Sequence, residues 1–406
     1  MRERDNIFDG MLVVMMSLIV FGLIGNALQP IRLFIMALAP FMVIDTIRTP
    51  EKNVSYFYGY ECFFFIIWWL YAAAFLFKAA DMVESAKQLV YLLIHMLGFL
   101  EVLWLSLHAH NPQRSVAKGW ICMLALSLPV AFYELSTDFH LPMSLQDTGE
   151  SINYNGISIE RRFASVTFGN LNSYNTVVCW AVPFLFLWNL YPQKKKDRLI
   201  GVTLLLLTVF VVIANSSRGA IICLGVLFLV YSYCYFRIGR NRILLVIAYA
   251  MVIGIFAYYL MDIFLLITER FSIQGLGDDG RSENIAQGTQ AFLESFGLGI
   301  GIGNYEPIMA QVFRVEYAAP HNLSLEVFVL FGIFIFIGYL GMLLRLILLV
   351  RRGTQYNRFA FFFCAVSLVF AGIIDSQYLM KVPTWMFLAS LYVFFDEQYN
   401  QPKATC

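Results

Sequence analysis

Long apolar segments recur from one end of this chain to the other, and each is about as long as a bilayer is thick. A helix needs about 20 mostly apolar residues to cross the hydrocarbon core of a membrane. Of the 406 residues, 60% are hydrophobic and only 14% are charged, whereas about 25% of the residues in a soluble domain are charged. The sequence therefore predicts an all-α polytopic membrane protein and excludes a soluble globular domain.

Segment length and hydrophobicity together predict about twelve membrane spans. Because no internal repeat or low-complexity linker divides the chain, we expect residues 1–406 to form a single transmembrane domain. The expected spans cover residues 9–28, 31–47, 55–77, 88–107, 118–135, 171–191, 199–215, 219–236, 243–262, 323–349, 359–375 and 383–395.

Lysine and arginine residues concentrate in three clusters, at 194–198, 237–242 and 351–358. Cytoplasmic loops of membrane proteins carry an excess of these residues. With twelve spans and a cytoplasmic N-terminus, all three clusters lie inside. The shorter outer loop at 136–170 and the long outer loop at 263–322 then lie on the extracytoplasmic side.

The long outer loop far exceeds the usual connection of about 4–6 residues, and loops of such length are often functional. Within it, Ile285, Ala291, Phe292 and Phe296 are spaced as one apolar stripe. A stripe of this kind is typical of an amphipathic helix. We therefore expect the loop to contain an amphipathic helix near the outer membrane surface and to carry part of the active site.

Arg218, Arg281 and His321 each lie at or just before the start of an expected helix, on the outer side. An arginine at a helix N-terminus is locally unfavourable, because the helix dipole is positive there. A bound anion would reverse this effect, since backbone N–H groups and guanidinium groups would both bind it. Two arginines suit the two phosphates of a pyrophosphate. Plausible N-caps of these helices are Ser216, Ser217, Asp278, Asp279 and Asn322.

Each of the three residues also has an ordinary structural interpretation. Arg218 would be a snorkelling arginine at the membrane interface. Arg281 would form a surface salt bridge with Asp278 or Glu283. His321 would be a hydrogen-bonded histidine at the interface. Charge placement alone does not decide between these interpretations and an anion site.

Four motifs surround these residues. At them the sequence resembles the O-antigen ligase and O-antigen polymerase family of bacterial envelope enzymes, which are multi-span glycosyltransferases of the GT-C type. The motifs are Arg-Phe-Ala-Ser-Val-Thr-Phe-Gly-Asn-Leu-Asn at 162–172, Ser-Ser-Arg-Gly-Ala at 216–220, Gly-Arg at 280–281 followed by Phe-Gly-Leu-Gly-Ile-Gly-Ile-Gly-Asn-Tyr at 296–305, and Pro-His-Asn-Leu-Ser-Leu-Glu at 320–326. Their order and spacing carry the resemblance. The N-terminal third of the chain matches only in being apolar.

The resemblance implies transfer of a glycan from an undecaprenyl-pyrophosphate carrier to an acceptor hydroxyl, without a metal and with inversion. The acceptor would be lipid A–core in a ligase, or a second lipid-linked glycan in a polymerase. Arg218 and Arg281 would hold the leaving pyrophosphate, and His321 would activate the acceptor or assist the phosphate site. The protein would lie in the bacterial inner membrane, with its active site facing the periplasm or the outside.

Three further residues are candidate substrate contacts. Arg162 is either a third contact to phosphate or to an acidic sugar, or one half of a solvated pair with Arg161. Asn172 follows Leu171, where the family often has proline, and Asn322 adjoins the candidate histidine. No cofactor or metal site is expected, because the sequence has no P-loop and no dinucleotide fingerprint. The expected partners are the lipid-linked donor, the acceptor and membrane lipid, and no nucleic acid.

A flippase or other transporter is the alternative function. Glu61 and Glu101 lie inside expected spans, where carboxylates are costly and often functional, although each would also fit as a packed or protonated side chain. A transporter is expected to show paired half-chain symmetry, which this sequence lacks. The alternating glycines at 297, 299, 301 and 303 suit either close approach to a sugar or carrier or a tight surface turn. The sequence does not distinguish a ligase from a polymerase.

Overall fold

The computed structural model describes residues 2–49, 59–144, 151–154, 157–160, 162–192, 194–238, 281–313 and 320–396. These residues form a bundle of α-helices with one small antiparallel hairpin. The helices are α1 (Arg2–Ser17), α2 (Pro30–Arg48), α3 (Tyr60–Ala74), α4 (Met82–His108), α5 (Pro112–Thr137), α6 (Leu171–Leu190), α7 (Lys195–Ala214), α8 (Arg218–Arg237), α9 (Arg281–Glu294), α10 (Leu323–Arg352), α11 (Gln355–Ala371) and α12 (Val382–Phe395). Short helical turns occur at Leu18–Phe21, Asn26–Leu28, Phe75–Lys78, Tyr305–Ile308, Met309–Phe313 and Tyr378–Met380.

The polytopic helical architecture predicted from the sequence is confirmed. By length and composition, 7 helices of the described part of the chain are able to cross a membrane: Pro30–Arg48, Tyr60–Lys78, Met82–His108, Pro112–Thr137, Lys195–Ala214, Arg218–Arg237 and Leu323–Arg351. Shorter apolar helices lie at Ile7–Phe21, Gln355–Ala371 and Val382–Phe395. The expected span at 243–262 lies outside the described residues, so the count of twelve is not confirmed.

The shorter outer loop holds the antiparallel hairpin, formed by β1 (Ser151–Tyr154) and β2 (Ile157–Glu160). Ser151 pairs with Glu160, and Tyr154 pairs with Ile157.

The core of the bundle is built around α4, α6 and α12. α6 is apolar on all sides and nearly every residue in it is buried, as expected of a helix enclosed by others. Aromatic rings join these helices to their neighbours. The ring centroids of Trp120 and Phe184 lie 5.6 Å apart, and those of Trp180 and Phe387 lie 5.4 Å apart.

A glycine-rich segment at 297–303 packs against a break in α10, where Gly332 has a φ of 75°. The N–H of Ile300 donates to the carbonyl of Val329 at 3.0 Å, and the N–H of Gly301 donates to that of Leu330 at 2.9 Å. Backbone can leave the helical conformation within a membrane only where other protein groups satisfy it. Gly299 therefore lies close to the backbone of α10, while the two roles expected from the sequence stay predictions.

A helix does begin at Arg281 in the long outer loop, and it packs on α10. The rings of Phe292 and Phe328 stack with their centroids 3.9 Å apart. Of the expected apolar stripe, Ala291 and Phe292 are buried, whereas Ile285 is 47% exposed and Phe296 is 94% exposed. The stripe is thus divided between two environments, and the placement of α9 at the membrane surface stays a prediction.

Replacing Gly299 with alanine is expected to destabilise the protein by about 1–3 kcal/mol, the usual cost of a strained backbone site. The φ of Gly299 is 88°, and an added Cβ would lie 2.5 Å from the backbone nitrogen of Gly332. Thermal unfolding of the purified protein in detergent measures the effect. The matched control is Gly225→Ala in α8, where an added Cβ meets nothing within 4 Å. Equal melting temperatures for the two variants would contradict the proposed packing.

Candidate functional site

The loop at 372–381, between α11 and α12, joins the starts of several helices at one end of the bundle. The N–H of Leu323, the first residue of α10, donates to the carbonyl of Gly372 at 2.9 Å. A Cβ built on Gly219, the second residue of α8, would lie 2.9 Å from Cγ1 of Ile374. The N-termini of α8 and α10 therefore meet the same loop.

Two of the candidate catalytic residues flank this loop. Arg218 is the first residue of α8, and His321 lies two residues before α10. Both side chains are half-buried. The fold brings their helix ends together, while the chemical roles of the two residues stay predictions.

The carboxylate of Glu326, buried in the first turns of α10, holds the loop in place. It accepts hydrogen bonds from the backbone N–H groups of Tyr378 at 2.7 Å and Leu379 at 3.1 Å. The hydroxyl of Tyr378 donates to the carbonyl of Ala371 at 2.7 Å. Lys381 forms an ion pair with Asp375 across the loop. Each end of the loop is thus fixed to a helix.

The expected N-cap of α10 is confirmed, and at α8 Ser217 occupies the expected N-cap position without a capping bond from its side chain. The side chain of Asn322 accepts a hydrogen bond from the N–H of Leu325 at 3.1 Å. Ser217 makes no side-chain bond at the start of α8. Ser216 has a φ of 53°, which turns its hydroxyl back towards the carbonyls of Ile213 and Ala214 at the end of α7. The expected caps Asp278 and Asp279 lie outside the described residues.

The remaining candidate residues lie in different settings. Arg281 is the first residue of α9, and its side chain lies outside the described part. Arg162 is exposed, and its Nη1 donates to the carbonyl of Ser136 at 2.7 Å. Asn172 is half-buried as the second residue of α6. Within the described residues, Arg162 therefore bonds to the end of α5 rather than to another candidate residue.

Most of the motif at 162–172 forms a buried segment that packs between the ends of α5 and α7. The carboxylate of Glu134, near the end of α5, accepts bonds from the N–H groups of Ser165 and Val166, both at 2.8 Å. The side-chain amide of Asn215, which follows α7, accepts from the N–H of Ala164 at 2.6 Å and donates to its carbonyl at 3.1 Å. This part of the motif therefore has a structural role.

A cavity of about 700 Å³ opens beside the loop, and we call it cavity A. Its size lies in the range of about 300–1,000 Å³ typical of ligand pockets. The wall comes from the starts of α2, α4, α6 and α12, the turns before α2, and the loop at 372–381. The lining residues are Gly22, Leu23, Asn26, Ala27, Gln29, Arg32, Glu84, Lys87, Gln88, Val90, Tyr91, Phe168, Ser173, Thr176, Val177, Trp180, Asp375, Gln377, Met380, Lys381, Val382 and Pro383.

A second cavity of about 440 Å³, cavity B, adjoins the first. The two share Glu84, Gln88, Gln377 and Met380 in their walls. Cavity B reaches Pro320, the residue before His321. Its other lining residues are Asp81, Gly303, Tyr305, Glu306, Pro307, Ala310, Glu326 and Leu330.

The two cavities differ in charge. Cavity A is lined by three cationic side chains and two carboxylates, whereas cavity B is lined by four carboxylates and by no cationic side chain of the described residues. Burial raises the pKa of Tyr305 to about 12, and the nearby negative charge of Glu326 acts in the same direction. Its hydroxyl therefore stays protonated and donates to the carbonyl of Asn284, at the start of α9, at 3.1 Å.

The sequence motifs did not point to the three cations of cavity A, which are Arg32, Lys87 and Lys381. A signal was available for Arg32, because it lies inside the expected span 31–47 and arginines within spans commonly mark functional sites. The carboxylates weighed instead lie elsewhere. Glu61 forms an ion pair with Arg345 at 3.2 Å. Glu101 is fully buried and lines neither cavity.

Replacing Glu326 with alanine is expected to loosen the loop at 372–381. Two buried N–H donors would lose their acceptor, at about 1–3 kcal/mol each. Hydrogen–deuterium exchange of peptides from the loop should become faster in Glu326→Ala. The control is Glu101→Gln, which changes a buried carboxylate in α4 that no described group hydrogen-bonds. Unchanged loop exchange in Glu326→Ala would show that the carboxylate does not hold the loop.

Comparison with known proteins supports the resemblance found in the motifs. Residues 203–340 match the sequence profile of the family described as O-antigen ligase. The chain is also 23% identical over 300 residues to the teichuronic acid biosynthesis protein TuaE of Bacillus subtilis (strain 168), with 70% of this chain and 59% of that protein covered. The chain thus spans less than two thirds of that relative's length. Across the segment that carries Arg218, Arg281 and His321, this multi-pass membrane chain is similar to the O-antigen ligase family.

Proposed function

We propose that this protein is a membrane glycosyltransferase of polysaccharide biosynthesis. It transfers a glycan from an undecaprenyl-pyrophosphate carrier to an acceptor hydroxyl. The observation that carries the proposal is the meeting of the α8 and α10 N-termini at the loop 372–381, which also lines both cavities. The match of residues 203–340 to the O-antigen ligase family supports it. So does the name of the Bacillus relative, which refers to teichuronic acid biosynthesis.

In this proposal, Arg218 and Arg281 hold the leaving diphosphate. Both are first residues of helices, where backbone N–H groups and the positive end of the helix dipole favour an anion. Since no side chain of Ser217 caps α8, a phosphate oxygen is suited to take that place. Two guanidinium groups would stabilise the charge that develops on the diphosphate, without a metal ion. Arg162, Asn172 and Asn322 are proposed as further substrate contacts.

His321 is proposed to act on the acceptor. The acceptor hydroxyl attacks the anomeric carbon of the donor from the face opposite the diphosphate, and His321 takes the hydroxyl proton. The bond from the anomeric carbon to the diphosphate oxygen breaks, and its electron pair leaves with the diphosphate. The sugar configuration is inverted. Cavity B adjoins Pro320, and Glu306 and the protonated Tyr305 in its wall are suited to hydrogen-bond sugar hydroxyls of the acceptor.

The reaction is tested with purified protein and a synthetic undecaprenyl-pyrophosphate glycan, with and without lipid A–core. Longer carrier-linked chains identify a polymerase, and glycan attached to the core identifies a ligase. An unchanged donor in both arms contradicts glycan transfer. Movement of intact donor across a vesicle membrane, without transfer, would favour the alternative flippase function.

Substitution of the three residues is expected to remove activity without unfolding the protein. Arg218→Gln and Arg281→Gln should each lower the transfer rate by about 10²–10³-fold, the loss typical for one preorganised donor. His321→Ala should lower it by about 10²–10⁴-fold, as for a general base. The matched control is Arg237→Gln, at the exposed far end of α8, which should keep its activity. Full activity in any of the three variants would remove that residue from the mechanism.

The proposed site faces the outside of the cytoplasmic membrane. In whole cells, a membrane-impermeant maleimide is expected to label Phe296→Cys, and to label Lys196→Cys only after permeabilisation. Both positions are exposed, and they lie on opposite sides in the proposed topology. The unsubstituted chain gives the background from its own cysteines. Labelling of Lys196→Cys but not Phe296→Cys in intact cells would reverse the orientation.

A further inference from the structure

Arg32 is a buried cation in the wall of cavity A, and no carboxylate of the described residues forms an ion pair with it. Arg32 is 3% exposed, and each ion pair among the described residues joins other side chains. Its guanidinium carbon lies 3.7 Å from the centre of the Tyr91 ring. An arginine keeps its proton at any physiological pH, and a buried charge without a counter-charge is strongly unfavourable. A bound anion would therefore balance the positive charge of Arg32.

The hydrogen bonds of Arg32 go to neutral groups. Its Nη1 donates to the carbonyl of Asn26 at 3.3 Å, and its Nη2 donates to that of Met380 at 3.2 Å. Its Nε donates to Nε2 of His95 at 3.2 Å. The other ring nitrogen of His95 lies 3.0 Å from the carbonyl of Leu379, so Nδ1 carries the proton and the ring is neutral. These bonds orient the guanidinium without balancing its charge.

The other charges of cavity A neutralise one another. Lys87 forms an ion pair with Glu84 at 2.7 Å, and Lys381 forms one with Asp375. With three cations and two carboxylates in the wall, one positive charge is left, at Arg32. A single positive charge matches a monoanion such as a carboxylate. It does not match a diphosphate, which carries more than one negative charge.

Two buried polar groups in the same wall also lack partners. The hydroxyl of Thr176 and the indole N–H of Trp180 make no hydrogen bond within the described part of the chain. Each residue is 1% exposed, and both line cavity A on one face of α6. Buried polar groups are nearly always hydrogen-bonded. Their position in the wall of cavity A suits a ligand rich in hydroxyl groups.

We propose that cavity A is a subsite for an acidic sugar residue of the transferred glycan, and that Arg32 binds the sugar carboxylate. Thr176 and Trp180 bind ring hydroxyls, and the amides of Gln29 and Gln88 lie in the wall to bind others. This inference rests on the proposed glycan transfer and names the class of its substrate. It assigns to Arg32 a role in selecting acidic over neutral glycans.

Calorimetric titration of the purified full chain tests the subsite with three probes: trigalacturonic acid, the neutral trisaccharide maltotriose, and inorganic pyrophosphate. Trigalacturonic acid is expected to bind about ten- to a hundredfold more tightly than maltotriose, the gain of one charge-assisted hydrogen bond. Arg32→Gln should abolish this preference, and Arg32→Lys should keep part of it. The control Arg345→Gln, whose partner is Glu61 outside the cavity, should bind as the unsubstituted protein does.

A second variant keeps the test independent of folding, because Arg32 also joins α2 to the loop 372–381. Thr176→Val keeps the side-chain shape and removes only the buried hydroxyl, so the fold is expected to persist. It should weaken trigalacturonic acid binding several-fold. Equal binding of acidic and neutral trisaccharides, or no loss in Thr176→Val and Arg32→Lys, would overturn the proposal. Arg32-dependent binding of pyrophosphate that competes with trigalacturonic acid would also overturn it, because the anion would then belong to the carrier.

The outcome is separable from that of the glycan-transfer assay. If transfer proceeds at equal rates from acidic and neutral donors, in the unsubstituted protein and in Arg32→Lys, the subsite is wrong and the transferase function stands. If trigalacturonic acid binds as expected while no donor is consumed, the subsite stands and the transferase function fails.

Discussion

The two hydrogen bonds that the buried carboxylate of Glu326 accepts from Tyr378 and Leu379 hold the functional end of this protein together. They fix the loop 372–381 to the first turns of α10. Two other residues of this loop make further contacts. Ile374 packs against the start of α8, and the carbonyl of Met380 accepts a hydrogen bond from the guanidinium of Arg32. Because the loop lines both cavities, their shape depends on this carboxylate. A glutamate that binds backbone rather than substrate thus positions the residues proposed to act on substrate.

A second constraint lies in the break of α10 at Gly332. The glycine-rich segment at 297–303 fills the break and satisfies the carbonyls of Val329 and Leu330. This contact secures the long outer loop against the bundle, and the stacking of Phe292 on Phe328 secures α9. Since α9 begins at Arg281, the position of that residue's backbone follows from packing that involves no charged group. The alternating glycines therefore serve the site indirectly, by allowing two backbones to lie in contact.

The two adjoining cavities differ in charge, and this difference indicates which glycan each would bind. Cavity A has one unbalanced cation, whereas cavity B has carboxylates only. An acidic glycan would be favoured in the first and disfavoured in the second. The proposed diphosphate site, at the starts of α8 and α9, is lined by different residues from either cavity. In the proposed function, separate groups of the protein thus recognise the donor glycan, the carrier diphosphate and the acceptor.

The sequence by itself determined that this is a membrane protein and approximately where its helices lie. The reason is that the hydrophobicity and length of a segment are local properties, and they decide whether the segment can cross a bilayer. It also indicated that Arg218 and His321 lie at helix starts, because capping and dipole effects act within one turn. It did not reveal cavity A. Arg32, Lys87, Thr176 and Trp180 come from three helices and Lys381 from the loop 372–381, all far apart in the chain. Only packing decides which of their charges are balanced. A charge pair depends on distance in space, so the guanidinium of Arg32 could be recognised as lacking a carboxylate partner only once the tertiary structure placed the described carboxylates.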